Sequence, residues 1–285
     1  MPERVPAASP LPAAVRRAIA ARVFALFNDA ARGERPVQRR PDGLFGPGSV
    51  AWRVHGDVTT MMVGGMAALM LQMLHPAVLA GVWDHSDFRS DLAGRLRRTA
   101  RFIALTTYGG GDEAEAAIAR VRRIHARVRG ALPDGTPYAA TDPDLLAWVH
   151  ATETTSFLAA WRRYADPAMS MRAQDRYFAE MASIGRALGA DPVPRSRAGM
   201  EDFVRNARAS LRHDERTRVV SRILLAERSP DRLVQPVQTL TVQAAIDLLP
   251  GWARRMHGLA TPPLAVPLLR AGTYGIAGTL RWALR

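Results

Sequence analysis

Apolar residues recur at intervals of three and four along most of this chain, and the every-second-residue alternation of a half-buried strand is almost absent. That periodicity predicts helices over about 13–31, 58–74, 88–106, 112–131, 143–164, 170–189, 199–212, 215–227, 237–249 and 263–283, with a short helix through Val82. The punctuation agrees with them. Gly33 and Pro36 close the first helix, Asp57 is placed to N-cap the second, and His75-Pro76 ends it. Asp142-Pro143 opens a long helix as N-cap and first helical residue. The segment Pro133 to Pro137 reads as a loop. No repeat or low-complexity linker interrupts the 285 residues, so the expected class is all-α, one multi-helix domain over 1–285.

Composition removes several chemistries. There is no cysteine, which excludes disulfides, thiolate metal sites, iron–sulfur clusters and covalently attached haem. All 39 basic residues are arginine, which excludes a Schiff-base or P-loop lysine. The formal charge of +13 invites a nucleic-acid or anionic-lipid partner. However, the arginine pairs at 16–17, 39–40, 97–98, 122–123, 162–163 and 254–255 lie in separate segments, and no DNA-reading motif accompanies them. A compositional preference for arginine over lysine accounts for them better.

Arg16-Arg17 precedes an apolar stretch in the manner of a twin-arginine export signal, but Arg22 and Asp29 interrupt it. An amphipathic first helix fits better. The longest apolar run, Met61 to Leu74, is too short to span a bilayer and contains Gln72. The expectation is a cytoplasmic protein without a transmembrane segment.

Helical position separates the seven histidines. Ile118, Val121, His125, Val128 and Leu132 recur on one face, so the His125 imidazole falls in an apolar stripe. It is either a core histidine bonded to a carbonyl or a ligand, and it is the best ligand candidate in the chain. Arg95, Arg98 and Thr99 share a face of the preceding helix. Two guanidiniums there can hold carboxylates such as haem propionates, and Thr99, between Leu96 and Phe102, reads as the more interior residue. His150 and Glu153 lie one turn apart, as a structural pair, two metal ligands, or a histidine serving a pocket. His75 can face a cavity, His85 belongs to a surface turn, and His55, His213 and His257 have no supporting constellation. Met62, Met66, Met70 and Met73 form a stripe suited to a core or to a flexible apolar ligand. The glycines at 109–111 precede a helix but match no phosphate-binding fingerprint.

Five segments occur in a familiar order: Trp52-Arg53-Val54, Leu74-His75-Pro76-Ala77-Val78, Arg95 to Thr99, Arg123 to Gly130, and Tyr138 through Asp142-Pro143 to His150. Over about residues 45–230 the chain resembles the family of latex-clearing rubber oxygenases and MpaB-like oxygenases. The resemblance implies a globin-like helical fold holding haem b without covalent attachment, and oxygen-dependent cleavage of carbon–carbon double bonds in isoprenoid chains. It puts the proximal iron ligand at His125, and the arginine and threonine near the haem at Arg95 and Thr99. The rubber enzymes' distal lysine corresponds to Arg98. Their distal glutamate has no counterpart, because no glutamate lies between residues 35 and 112; Asp84 or His75 would have to serve.

The leading expectation is therefore a haem-dependent oxygenase acting on a small apolar substrate of isoprenoid or alkene-containing type with molecular oxygen. His125 would bind iron, Arg95 and Arg98 would meet the haem, Thr99 would supply a hydroxyl and His150 would shape the pocket. Two other readings are a non-catalytic arginine-rich protein binding nucleic acid or anionic lipid, and a non-haem metal enzyme using His125, His150 and Glu153.

Overall fold

The structure, a computed structural model, describes residues 10–28, 33–229 and 231–284. It is 69% helical, with only a two-stranded hairpin besides, so the all-α expectation holds. The elements are α1 (Pro10–Phe27), α2 (Val50–Val54), α3 (Val58–Gln72), α4 (Pro76–His85), α5 (Leu92–Tyr108), α6 (Gly111–His125), β1 (Arg129–Ala131), β2 (Pro137–Ala139), α7 (Pro143–Tyr164), α8 (Met171–Leu188), α9 (Arg197–Ala207), α10 (Glu215–Ala226), α11 (Gln235–Leu248), α12 (Gly251–Met256) and α13 (Val266–Leu284).

Local chemistry fixes many boundaries. The Asp57 carboxylate accepts from Thr60 N at 2.8 Å to start α3. The Asp142 carboxylate accepts from Asp144 N at 2.9 Å, and Pro143 follows as the first residue of α7. The first helix ends at Phe27, Asn28 follows outside it, and residues 29–31 of its expected range lie outside the described residues. Helices α2 and α12 carry no strong periodicity at five and six residues, and the sequence reading passed over both.

Helix α3 is apolar around most of its circumference, so it needs neighbours on several sides. It packs along α7 most extensively and also meets α11 and α13. Gly64 permits this closeness: a Cβ there would lie 2.9 Å from the Phe157 Cα of α7. One core cluster joins Val63, Met70, Met73 and Leu74 of α3 and its end to Trp148, Leu224 and Val242. A second joins Val54, Ile118, Phe157, Tyr177 and Met200. No single helix among the described residues is long and apolar enough to cross a membrane; α3 and α4 pass such a test only as a pair bent by 104°.

The largest departure from the expected pattern is α6, which stops at His125 instead of running to 131. Beyond it the chain turns into the β1–β2 hairpin, with Arg129 opposite Ala139 and Ala131 opposite Pro137. The loop expected at 133–137 is the tip of this hairpin, where Gly135 takes φ +86°. Gly130 is required within it, since a Cβ would sit 2.6 Å from the Tyr138 hydroxyl.

Candidate functional site

The hairpin anchors the end of α6. The Tyr138 hydroxyl donates to Asp84 of α4 at 2.7 Å, and His85 Nε2 meets the Arg129 carbonyl at 3.1 Å. His125, the last residue of α6, is thereby held against α5. Its ring is half-buried, and its Nδ1 is buried without a hydrogen-bond partner. Burial first, then the nearby Arg95 charge, holds the imidazole below its usual pKa range, so it is neutral at pH 7. A neutral imidazole with an unused buried nitrogen is suited to ligation. The stripe that led to His125 is real over Ile118 and Val121, but Val128 and Leu132 belong to the turn and the hairpin.

Arg95 is half-buried on α5, and its guanidinium makes no ion pair among the described residues. Burial and the like charge of Arg98 both disfavour its protonated form. The structure thus brings Arg95 and His125 together, and leaves both short of partners.

Arg98 and Thr99 are placed otherwise. Arg98 is exposed and donates to Asp91 at 3.1 Å, while Asp91 also caps α5 by accepting from Gly94 N. Thr99, expected to be the more interior, is exposed, and its hydroxyl donates back to the Arg95 carbonyl at 3.2 Å. The three side chains do share a face of α5, but only Arg95 is even half-buried on it, and the i−4 bond satisfies the Thr99 hydroxyl locally.

His150 is buried on α7, with Nε2 unpartnered, and burial lowers its pKa to about 4. No hydrogen bond joins it to Glu153 among the described residues, so the expected structural pair does not form. Glu153 instead takes support from Gln72 of α3, although burial outweighs that support and raises its pKa to about 7. It lies near Tyr177 of α8, whose hydroxyl bonds His55 Nε2 at 2.9 Å; His55 Nδ1 meets Thr107 Oγ1 at 2.8 Å. This buried line crosses α8, α2 and α5. Sequence spacing held no signal for it, because its members are separated by 52 and 122 residues.

The other candidates divide clearly. Among the described residues no three His, Cys, Asp or Glu side chains converge as a metal site, so His125, His150 and Glu153 do not form the non-haem centre considered from sequence. His75 is half-buried with an unpartnered Nδ1, its ring 6.5 Å from that of Trp148. Asp84 is engaged by Tyr138 and lies 3.8 Å from Arg216. Met70 and Met73 belong to the plain core, whereas Met62 and Met66 remain half-buried. The glycine run serves a helix start: Gly110 N donates to Glu113 at 2.9 Å. A hollow of about 460 Å³ between α6 and α8 is lined by Glu115, Ile118, Arg122, Arg123 and Ala187, and neither His125 nor Arg95 enters it.

The family described as "ER-bound oxygenase mpaB/B'/Rubber oxygenase, catalytic domain" matches residues 52–282. No curated protein and no solved structure matches.

Proposed function

The chain belongs to the mpaB/rubber oxygenase catalytic-domain family, and from that premise we propose that it is a haem b-dependent oxygenase acting on a small apolar, isoprenoid or alkene-containing substrate with molecular oxygen. An enzyme of oxygenase type follows from the family. One observation supports the finer reading above the rest: the neutral His125 ring, with a buried unpartnered nitrogen, stands beside a half-buried arginine that has no counter-ion among the described residues. A haem fits both deficits, because its iron takes a neutral imidazole and its propionates take a guanidinium.

In this reading His125 is the iron ligand and Arg95 holds a propionate. The haem, when bound, supplies the oxygen chemistry that no side chain can. The protein's own contribution is orientation, exclusion of water and placement of protons. Half-buried Met62, Met66 and Val149 offer adaptable apolar contact to a substrate. His150, neutral and buried, shapes the α7 side. Glu153, with a pKa near neutrality, can hold or release a proton at its carboxyl. It occupies a different helix from the one where the rubber enzymes' glutamate was expected. Arg98 and Thr99 are engaged at their own helix and are given no role in holding the haem.

The test is the visible spectrum of the purified protein reconstituted with haem. A Soret band that disappears or shifts in His125→Ala is the expected outcome. Absence of the band, or a band unchanged by that substitution, overturns the proposal.

A further inference from the structure

Helix α13 is built the opposite way from an ordinary surface helix. Its only charged residues in the described range, Arg270 and Arg281, turn inward onto buried carboxylates. Arg270 donates to Asp247 at 2.9 and 3.2 Å, and Arg281 donates to Asp57 at 2.5 Å. The outward side is a stripe of Leu264, on the 3-10 turn at 263–265, followed by Leu268, Ala271, Gly275 and Trp282. Leu264 is 92% exposed and Leu268 78%. Scattered exposed leucines need no explanation, but a charge-free stripe along a whole helix does.

Helix α1 packs beside α13. Its exposed Phe24 lies on the side that carries Arg17 and Ala20, and neither helix contains an acidic residue. Between the two lies a hollow of about 270 Å³ lined by Ala13, Arg16, Arg17, Ala20 and Ala283. The Arg16 guanidinium sits 5.8 Å from the centre of the Trp282 ring, and neither Arg16 nor Arg17 has an acidic partner among the described residues. Two cations and an indole thus border an apolar strip.

We propose that the α1–α13 face docks on an anionic lipid bilayer, with Leu264, Leu268 and Trp282 entering the interface and Arg16 and Arg17 taking lipid phosphates. Charge decides the occupant. A second copy of this chain would bring the same unpaired arginines against themselves, and a purely apolar partner would leave them buried without counter-charge. A bilayer of anionic lipid supplies phosphate at the depth where arginine and tryptophan sit, and hydrocarbon just beneath for the leucines. The inference is independent of haem binding.

The experiment is flotation of the full chain with vesicles of phosphatidylcholine alone and of phosphatidylcholine mixed with phosphatidylglycerol. Wild-type protein should float with the mixed vesicles only, and less so as salt rises. Each arginine neutralised, as in Arg16→Gln or Arg17→Gln, should weaken binding roughly fivefold. Leu268→Asp, a change at an exposed position, should abolish it while the thermal transition and helix content stay as in wild type. Failure to float, equal flotation with neutral vesicles, or flotation unchanged by these substitutions overturns the proposal. So does self-association that Leu268→Asp removes in place of vesicle binding.

Discussion

Where α7, α11 and α13 meet, the Asp247 carboxylate is 3% exposed and receives both Arg163 at 2.9 Å and Arg270 at 2.9 Å. On α5, by contrast, Arg95 is drawn from water toward Arg98 and His125, with no carboxylate to meet it. The first arrangement is complete as it stands, and its charges are spent on holding helices together. The second is incomplete: the His125 Nδ1 has lost water and gained no partner, and the half-buried Arg95 beside it meets no carboxylate among the described residues. A fold retains such a deficit most readily where something else fills it, since a buried polar group left unsatisfied costs about 1–3 kcal/mol. Which region has its partners separates scaffold from site in this protein.

The sharpest way to break the contrast is to remove the central acid of the complete region. Asp247→Ala leaves Arg163 and Arg270 facing each other, and it should destabilise the protein by about 2–3 kcal/mol. That is below the cost for a fully buried pair, because both arginines keep contact with water. Urea unfolding measures it, and a change under about 0.5 kcal/mol would remove the distinction. The matching change in the incomplete region is Arg95→Met. Without haem it should leave stability unchanged or raise it slightly, since it deletes an unsatisfied charge. With haem it should weaken binding on the order of tenfold or more, the loss of one charge-assisted hydrogen bond. A haem titration of the wild type and variant checks both signs. Equal destabilisation at Asp247 and Arg95 in the apo protein would show that Arg95 has a structural partner after all.

The two regions were also unequally legible in sequence. Asp142-Pro143 and Asp57 state helix starts through local hydrogen bonds, and those starts were read correctly. The 3.6-residue period gave most helices and singled out His125 and Arg95 each on its own helix, but only the family resemblance joined them at one site. It failed where the chain leaves helix without a strong breaker. The α6 stripe runs on through Val128 and Leu132 in sequence, but Tyr138, Asp84 and His85 pin a hairpin there through contacts 44 and 54 residues apart. The inside-out character of α13 was equally hidden. Nothing in a window around Arg270 or Arg281 reveals that their carboxylates lie 23 and 224 residues earlier. Thr99 was misplaced for a subtler reason: apolar flanks marked it as interior, whereas its side chain is exposed and closes onto the Arg95 carbonyl.

The smallest expected effect concerns Glu153, which belongs to neither extreme: Gln72 supports it, yet its pKa is raised to about 7 from an ordinary value of 4.5. A carboxyl raised on folding binds its proton more tightly in the native state. Its contribution to stability is therefore complete below pH 4.5 and is lost as pH rises through about 7. The buried histidines act in the opposite direction. His150 and His257 are lowered to about 4 and His55 to about 3, so their contribution is complete above their unfolded value of 6.5 and is lost as pH falls below it. The two trends overlap between pH 4.5 and 6.5 and partly cancel in the wild type. Glu153→Gln separates them: the variant should lose the decline between about pH 4.5 and 7 and keep the histidine-driven decline at lower pH. Unfolding free energies of both proteins across that range decide the matter, and parallel curves would mean that Glu153 titrates as an ordinary exposed acid. If the curves diverge, Glu153 carries a proton near neutral pH at a half-buried position one turn from His150, as the proposed role of holding or releasing a proton there requires.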